Sequence, residues 1–95
     1  MNNVIDLNKA LDCKNVLAFE EYGYKVFSTY VKPHIDYKGV TTVKFPKHID
    51  KISVSFVKGF SKEILAHIPL DLFLNRIRIE GSKELIHKFE KGIKY

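Results

Sequence analysis

The sequence predicts an α/β fold: a single small domain over residues 1–95, with a mixed or mainly parallel β-sheet of three to four strands packed by about three helices. Three observations carry this expectation. Strand-like and helix-like apolar patterns alternate in the order β-α-β-α-β-α, as in layered proteins whose parallel strands are joined by right-handed helical crossovers. Pro33, Pro46 and Pro69 each end an apolar run rather than interrupting one, so they read as element boundaries. A length of 95 residues suits one domain with a modest core.

Val4-Ile5-Asp6-Leu7 is a short strand pattern, and Asn8 and Asp12 favour a turn soon after it. Phe19, Tyr22, Val26, Phe27, Tyr30 and Val31 recur at spacings of three and four, which predicts a helix over 17–32 with these side chains on its buried face. Gly23 interrupts that helix at a cost of about 1 kcal/mol relative to Ala, or lets another backbone pack close. Tyr37-Lys38-Gly39 reads as a turn, and the β-branched run from Val40 to Phe45 is the clearest strand. Alternation sets Thr41, Val43 and Phe45 on one face. Val40 and Thr42 are not strongly polar either, so the strand is expected to be covered on both sides.

Lys47-His48-Ile49-Asp50-Lys51 is a polar loop with Ile49 as its apolar anchor. Ser53 or Ser55 can cap a following helix, and Ser55 is the expected cap of a helix over 56–67. Phe56, Val57, Phe60, Ile64, Leu65 and Ile68 trace its buried face. Leu70 to Leu74 is an apolar link of at most one turn. Asn75 to Glu80 alternates, with Ile77 and Ile79 inward, as in a strand with one wet face or near a sheet edge. Gly81 breaks it. Ser82 caps a last helix, with Leu85, Ile86, Phe89 and Ile93 as its buried stripe.

Composition narrows the function classes. An apolar fraction of 45% and a charged fraction of 28% are those of a globular protein, so disorder and low complexity are not expected. Cys13 is the only cysteine, which rules out an intrachain disulfide and gives no metal-binding cysteine pair. The first residues lack a basic stretch followed by a long apolar run, and no run is long enough to span a membrane, so a cytoplasmic protein is expected. The net charge is +5, and Lys9, Lys14, Lys25 and Lys32 balance Asp6, Asp12, Glu20 and Glu21 over residues 1–35. The whole excess therefore lies in residues 36–95, where it favours an acidic or phosphorylated partner if it is more than a solvated surface.

Motifs for catalysis are weak. The five glycines form neither a dinucleotide fingerprint nor a phosphate loop, and His34, His48, His67 and His87 have no zinc-ligand spacing. No cofactor or metal is expected. Ser53 or Ser55 with His48 would be the sole nucleophile–base pair, without the nucleophile-elbow motif, so capping is the preferred role of these serines and an enzyme is not expected. What remains is the stretch 47–62, with Lys47, His48, Lys51, Ser53, Ser55, Lys58 and Lys62 as candidate partner-binding or switch residues. A phosphoserine at a helix start adds charge beside the positive end of the dipole and can remodel a bound partner.

The run from Val40 to Phe45, then Ile52-Ser53-Val54-Ser55-Phe56-Val57 and the helix to His67, resembles the STAS-like domain of unknown function. That family is a relative of the STAS domains of anti-sigma-factor antagonists and sulfate transporters. The helix with Glu20, Glu21 and Gly23, the strand Arg76-Ile77-Arg78-Ile79 and the final helix match its layout, so the likeness runs from about Val16 to the C-terminus. Lys44 stands at the family's strand-end Asp, Ser53 at the Asp of the phosphorylatable turn and Val54 at its first serine, so that Ser55 alone carries over as a serine. The resemblance implies a non-enzymatic regulatory module that binds a protein, such as a histidine-kinase-like ATPase or another regulator. The alternative is a small basic protein that binds nucleic acid or a phosphorylated ligand through its lysines.

Overall fold

The computed structural model describes residues 2–94; Met1 and Tyr95, the two ends of the expected domain, lie outside the described residues. The described residues form β1 (Asn2–Asp6), β2 (Val16–Leu17), α1 (Glu20–Val26), β3 (Val40–Lys44), β4 (Lys51–Ile52), α2 (Val54–His67), α3 (Leu70–Arg76), β5 (Ile77–Glu80) and α4 (Lys83–Ile93). A π-helical turn, Phe27–Val31, prolongs α1. The expected β-α-β-α-β-α order is therefore retained, with the small ribbon strands β2 and β4 and the helix α3 added to it.

Strands β1, β3 and β5 form a parallel sheet in that order, and β2 and β4 form a separate parallel ribbon. The β-branched run explains the central position of β3. Thr41 and Val43 are buried on its inner face, with Phe45 just beyond, while Val40, Thr42 and Lys44 are only half-buried. The sheet is thus covered by helices on one face and open on the other, not covered on both as its apolar character suggests. Register places Asp6, Lys44 and Glu80 side by side on the open face, which explains why three charged residues can end three adjacent parallel strands.

Phe60 is the centre of the core. Its ring lies 5.3 Å from that of Phe89, 5.8 Å from Phe45, 5.9 Å from Phe27 and 6.2 Å from Phe56, so α1, β3, α2 and α4 meet at one side chain. Such separations suit edge-on and offset aromatic packing. Helices α1 and α2 approach even more closely at two glycines. A Cβ on Gly23 would point into the Phe56 carbonyl and the Phe60 nitrogen, and one on Gly59 into the Glu20 carbonyl. Gly23 thus permits close backbone approach. It is a crossing point rather than a defect.

Several expectations are corrected. The first helix begins at Glu20, not near Leu17, because residues 16–17 are drawn into pairing with β4. Phe19 is exposed rather than buried, since it precedes the helix as its N-cap at a positive φ, and Tyr30 is exposed because the π-helical turn shifts the residues after Val26 off the α-helical spacing. Leu65 lies outside the buried stripe of α2 and is exposed. The link after Pro69 is a seven-residue helix, and Ile79 is only half-buried, as an edge strand allows.

Candidate functional site

The join between β4 and α2 is held from both sides. Ile49 is fully buried, its N–H donates to the Pro46 carbonyl, and its own carbonyl accepts from Ser82 Oγ at 2.9 Å. Ser82 also caps α4 by accepting from the Leu85 N–H. On the other side, a His48 ring nitrogen donates to the Lys14 carbonyl at 2.7 Å, and the Ser53 N–H donates to the Leu17 carbonyl at 2.8 Å. A loop tied by hydrogen bonds to the 14–17 segment and to Ser82 presents its neighbours on a rigid base.

Ser53, not Ser55, caps α2. Its backbone is extended and its Oγ accepts from the Phe56 N–H at 3.1 Å, the N-cap to third-residue bond. The helix accordingly begins at Val54, two residues before the expected start at Phe56. Ser55 is exposed in the first turn, with its Oγ 2.9 Å from that of Ser53. No hydrogen bond joins His48 to either serine among the described residues; its ring nitrogen is engaged with Lys14 instead.

The sequence-predicted residues divide into two groups. Lys47, His48 and Lys51 are exposed on the turn. Ser55, Lys58 and Lys62 fall at helical spacing on one exposed stripe of α2, which extends to Leu65. Lys62 stands between two shallow grooves. One, of about 460 Å³, lies against α1 and is lined by Glu20, Glu21, Tyr24 and Glu63 among others. The second, of about 370 Å³, lies towards α4 and includes Lys58, Leu65 and Ile93. The stripe is therefore flanked by acidic as well as basic groups. Glu63 in particular is held below the usual glutamate range, first by its hydrogen bond from Lys32 Nζ and also by that from Tyr24 OH, both at 3.2 Å.

Sequence reasoning missed three exposed apolar residues at this end of α2. Val16 is 51% exposed, Phe19 75% and Val54 38%. Val54 opens α2, Val16 pairs in register with Lys51 just before it, and Phe19 immediately precedes Glu20, whose carbonyl is seated on Gly59 in the second turn of α2. Phe19 also has φ 76° and ψ 136°, a conformation that side chains other than hydrogen rarely adopt. The sequence holds no direct signal for this, since an aromatic at helical spacing reads as core.

Among the described residues no cluster of histidine, cysteine and carboxylate groups could hold a metal ion, and no helix is long and apolar enough to cross a membrane. No family model matches this chain, and no curated protein or solved structure is detectably similar to it.

Proposed function

We propose that this protein is a non-enzymatic regulatory module of the STAS-like, anti-sigma-factor-antagonist kind, which binds a protein partner through the surface at 47–62. The observation that carries the reading is the exposed apolar trio Val16, Phe19 and Val54 beside the start of α2, bordered by Lys51, Ser55 and Lys58. Apolar anchors within a polar rim are the anatomy of a protein interface. Backbone strain at Phe19 supports it, because strain persists where the surrounding structure holds a side chain for use. The partner is a regulator such as a histidine-kinase-like ATPase. Ser55 is the switch residue: it is exposed, the cap belongs to Ser53, and a phosphate there would sit in the first turn next to the apolar trio. The alternative of a nucleic-acid or phosphorylated-ligand binder has weaker support, since Glu20 lines both grooves that flank Lys62.

The test is a pull-down from extracts of the native cell with wild-type, Phe19→Ser, Lys58→Glu and Ser55→Glu chains as bait. A protein retained by wild type should be lost with Phe19→Ser and weakened by both charge changes. Equal retention by all four baits would place the interface elsewhere.

A further inference from the structure

The sheet order leaves β1 on an edge, and the hydrogen bonds show which of its main-chain groups are free. The Leu7 N–H donates to the Lys44 carbonyl at 2.8 Å. Successive residues of a strand alternate in direction, so the N–H and C=O groups of Asn3 and Ile5 also face β3, and those of Val4 and Asp6 face away from it. Beside these outward groups runs a groove of about 360 Å³. One wall is β1 itself from Asn3 to Leu7, and the other is Thr29 and Tyr30 of the π-helical turn with His34. The Asn3 side-chain amide donates to the His34 carbonyl and ties the two walls together.

Apart from the Asp6 carboxylate at its end, the edge lacks the usual protections. It has no proline, no lysine and no bulge within Asn2–Asp6, and Val4 is 58% exposed. A trough between an edge strand and a helical wall is the setting for strand addition, in which main-chain bonds supply affinity and alternate side chains supply specificity. We infer that the outer edge of β1 is a strand-addition site for an extended peptide, a second binding surface that does not depend on the one at the start of α2.

The edge also specifies the peptide. Val4 and Asp6 lie two residues apart on the open face of the sheet, so the added strand presents side chains of the same spacing beside them. Exposed Val4 selects an apolar side chain. The Asp6 carboxylate, which accepts from the Asn8 N–H at 2.9 Å, selects a basic one. The occupant is therefore a segment of the pattern apolar–any–basic, in either chain direction, whose intervening residue faces Tyr30 and His34.

A phage-displayed library of random heptapeptides, selected on the whole chain, tests this. Selected peptides should share the apolar–any–basic spacing and should lose at least tenfold in affinity for Val4→Pro, which removes one outward N–H and leaves pairing to β3 intact. Asp6→Asn should weaken them several-fold, and Ser55→Glu should leave them unchanged. In nitrogen-15 spectra of the wild-type chain, a selected peptide should shift the Val4 and Asp6 amides and slow their hydrogen exchange. This readout stands even if Val4→Pro does not fold. Peptides that bind Val4→Pro as well as wild type, or that shift amides at the start of α2 instead, would overturn the inference. So would a wild-type dimer that Val4→Pro dissociates, because the edge would then belong to a second copy.

Discussion

The close crossing of α1 and α2 makes a prediction that opposes helix propensity. Gly59 lies within α2, where alanine should be better by about 1 kcal/mol if nothing else changed. A Cβ there, however, would stand 2.8 Å from the Glu20 carbonyl carbon and 3.0 Å from the Glu20 Cα, with the carbonyl oxygen closer still. These are backbone atoms, so no rotamer change can relieve the overlap, and the two helices must part by about 1 Å. A gap of that size forfeits roughly a quarter to a half of the dispersion energy of each contact across it. Overpacking of this kind costs about 1–3 kcal/mol and more where both sides are rigid. Gly59→Ala should therefore destabilise the protein by about 2 kcal/mol net, the upper end of that cost less the propensity gain, which lowers the midpoint of thermal unfolding by roughly 8–16 °C in a domain of this size. Urea unfolding followed by circular dichroism gives the free energy, and an unchanged slope would show that the unfolded state is unaffected. Gly81→Ala is the control, since its nearest neighbours would be 3.4 Å away. Because Gly23 faces the same crossing, the Gly23→Ala, Gly59→Ala pair should cost less than the sum of its members. A Gly59→Ala protein as stable as wild type, or more so, would refute the backbone-to-backbone crossing.

Three further outcomes follow from named contacts. Ser53→Ala should cost about 1 kcal/mol because it removes the cap of α2, whereas Ser55→Ala should change urea stability by a few tenths at most. The Glu63 carboxyl should titrate below the ordinary glutamate value in carbon-13 spectra and return towards it in Lys32→Ala, since the Lys32 hydrogen bond is the main cause of its depression. Its folded pKa lies below its unfolded one. Its contribution to stability is thus present above the unfolded value and is lost as pH falls through the folded one, and this acid limb should flatten in Lys32→Ala. At Phe19 the usual order of alanine over glycine should invert, because Phe19→Gly relieves the positive φ and Phe19→Ala does not; thermal unfolding should show glycine more stable by about 1–2 kcal/mol.

Local signals made part of this fold legible. The β-branched run gave β3 within one residue, Pro33 and Pro69 marked the ends of two helical segments, and Ser82 named the cap of α4 correctly. Features set by distant partners were not legible. Strands β2 and β4 have two residues each, too few for a periodic pattern, and exist because Val16 and Lys51 meet in the folded chain. The π-helical turn changes the repeat without any proline or glycine to announce it, and so misplaced Tyr30. Ser53 and Ser55 each offer a hydroxyl ahead of the Phe56 stripe, and the Ser53–Leu17 bond fixes the approach of the chain so that Ser53 takes the cap. At the candidate site the lysines were visible, but the acidic groups of α1 beside them were not, since Glu20 and Glu21 join Lys62 only through the helix crossing.

That crossing also accounts for the residue on which the interface proposal rests. Leu17 must be buried and paired with β4, while Glu20 must place its carbonyl against Gly59, and only two residues separate them. A helix entered so abruptly from a strand cannot be reached through ordinary extended backbone, and the sharp change of direction falls at Phe19 as a positive φ. Glycine would meet that demand at no steric cost, so the turn alone does not explain a phenylalanine. Nor does the core, because the ring is three-quarters exposed at 75%. An exposed aromatic side chain kept at a strained position, where it buries little of its own surface, is the observation on which the proposed interface rests.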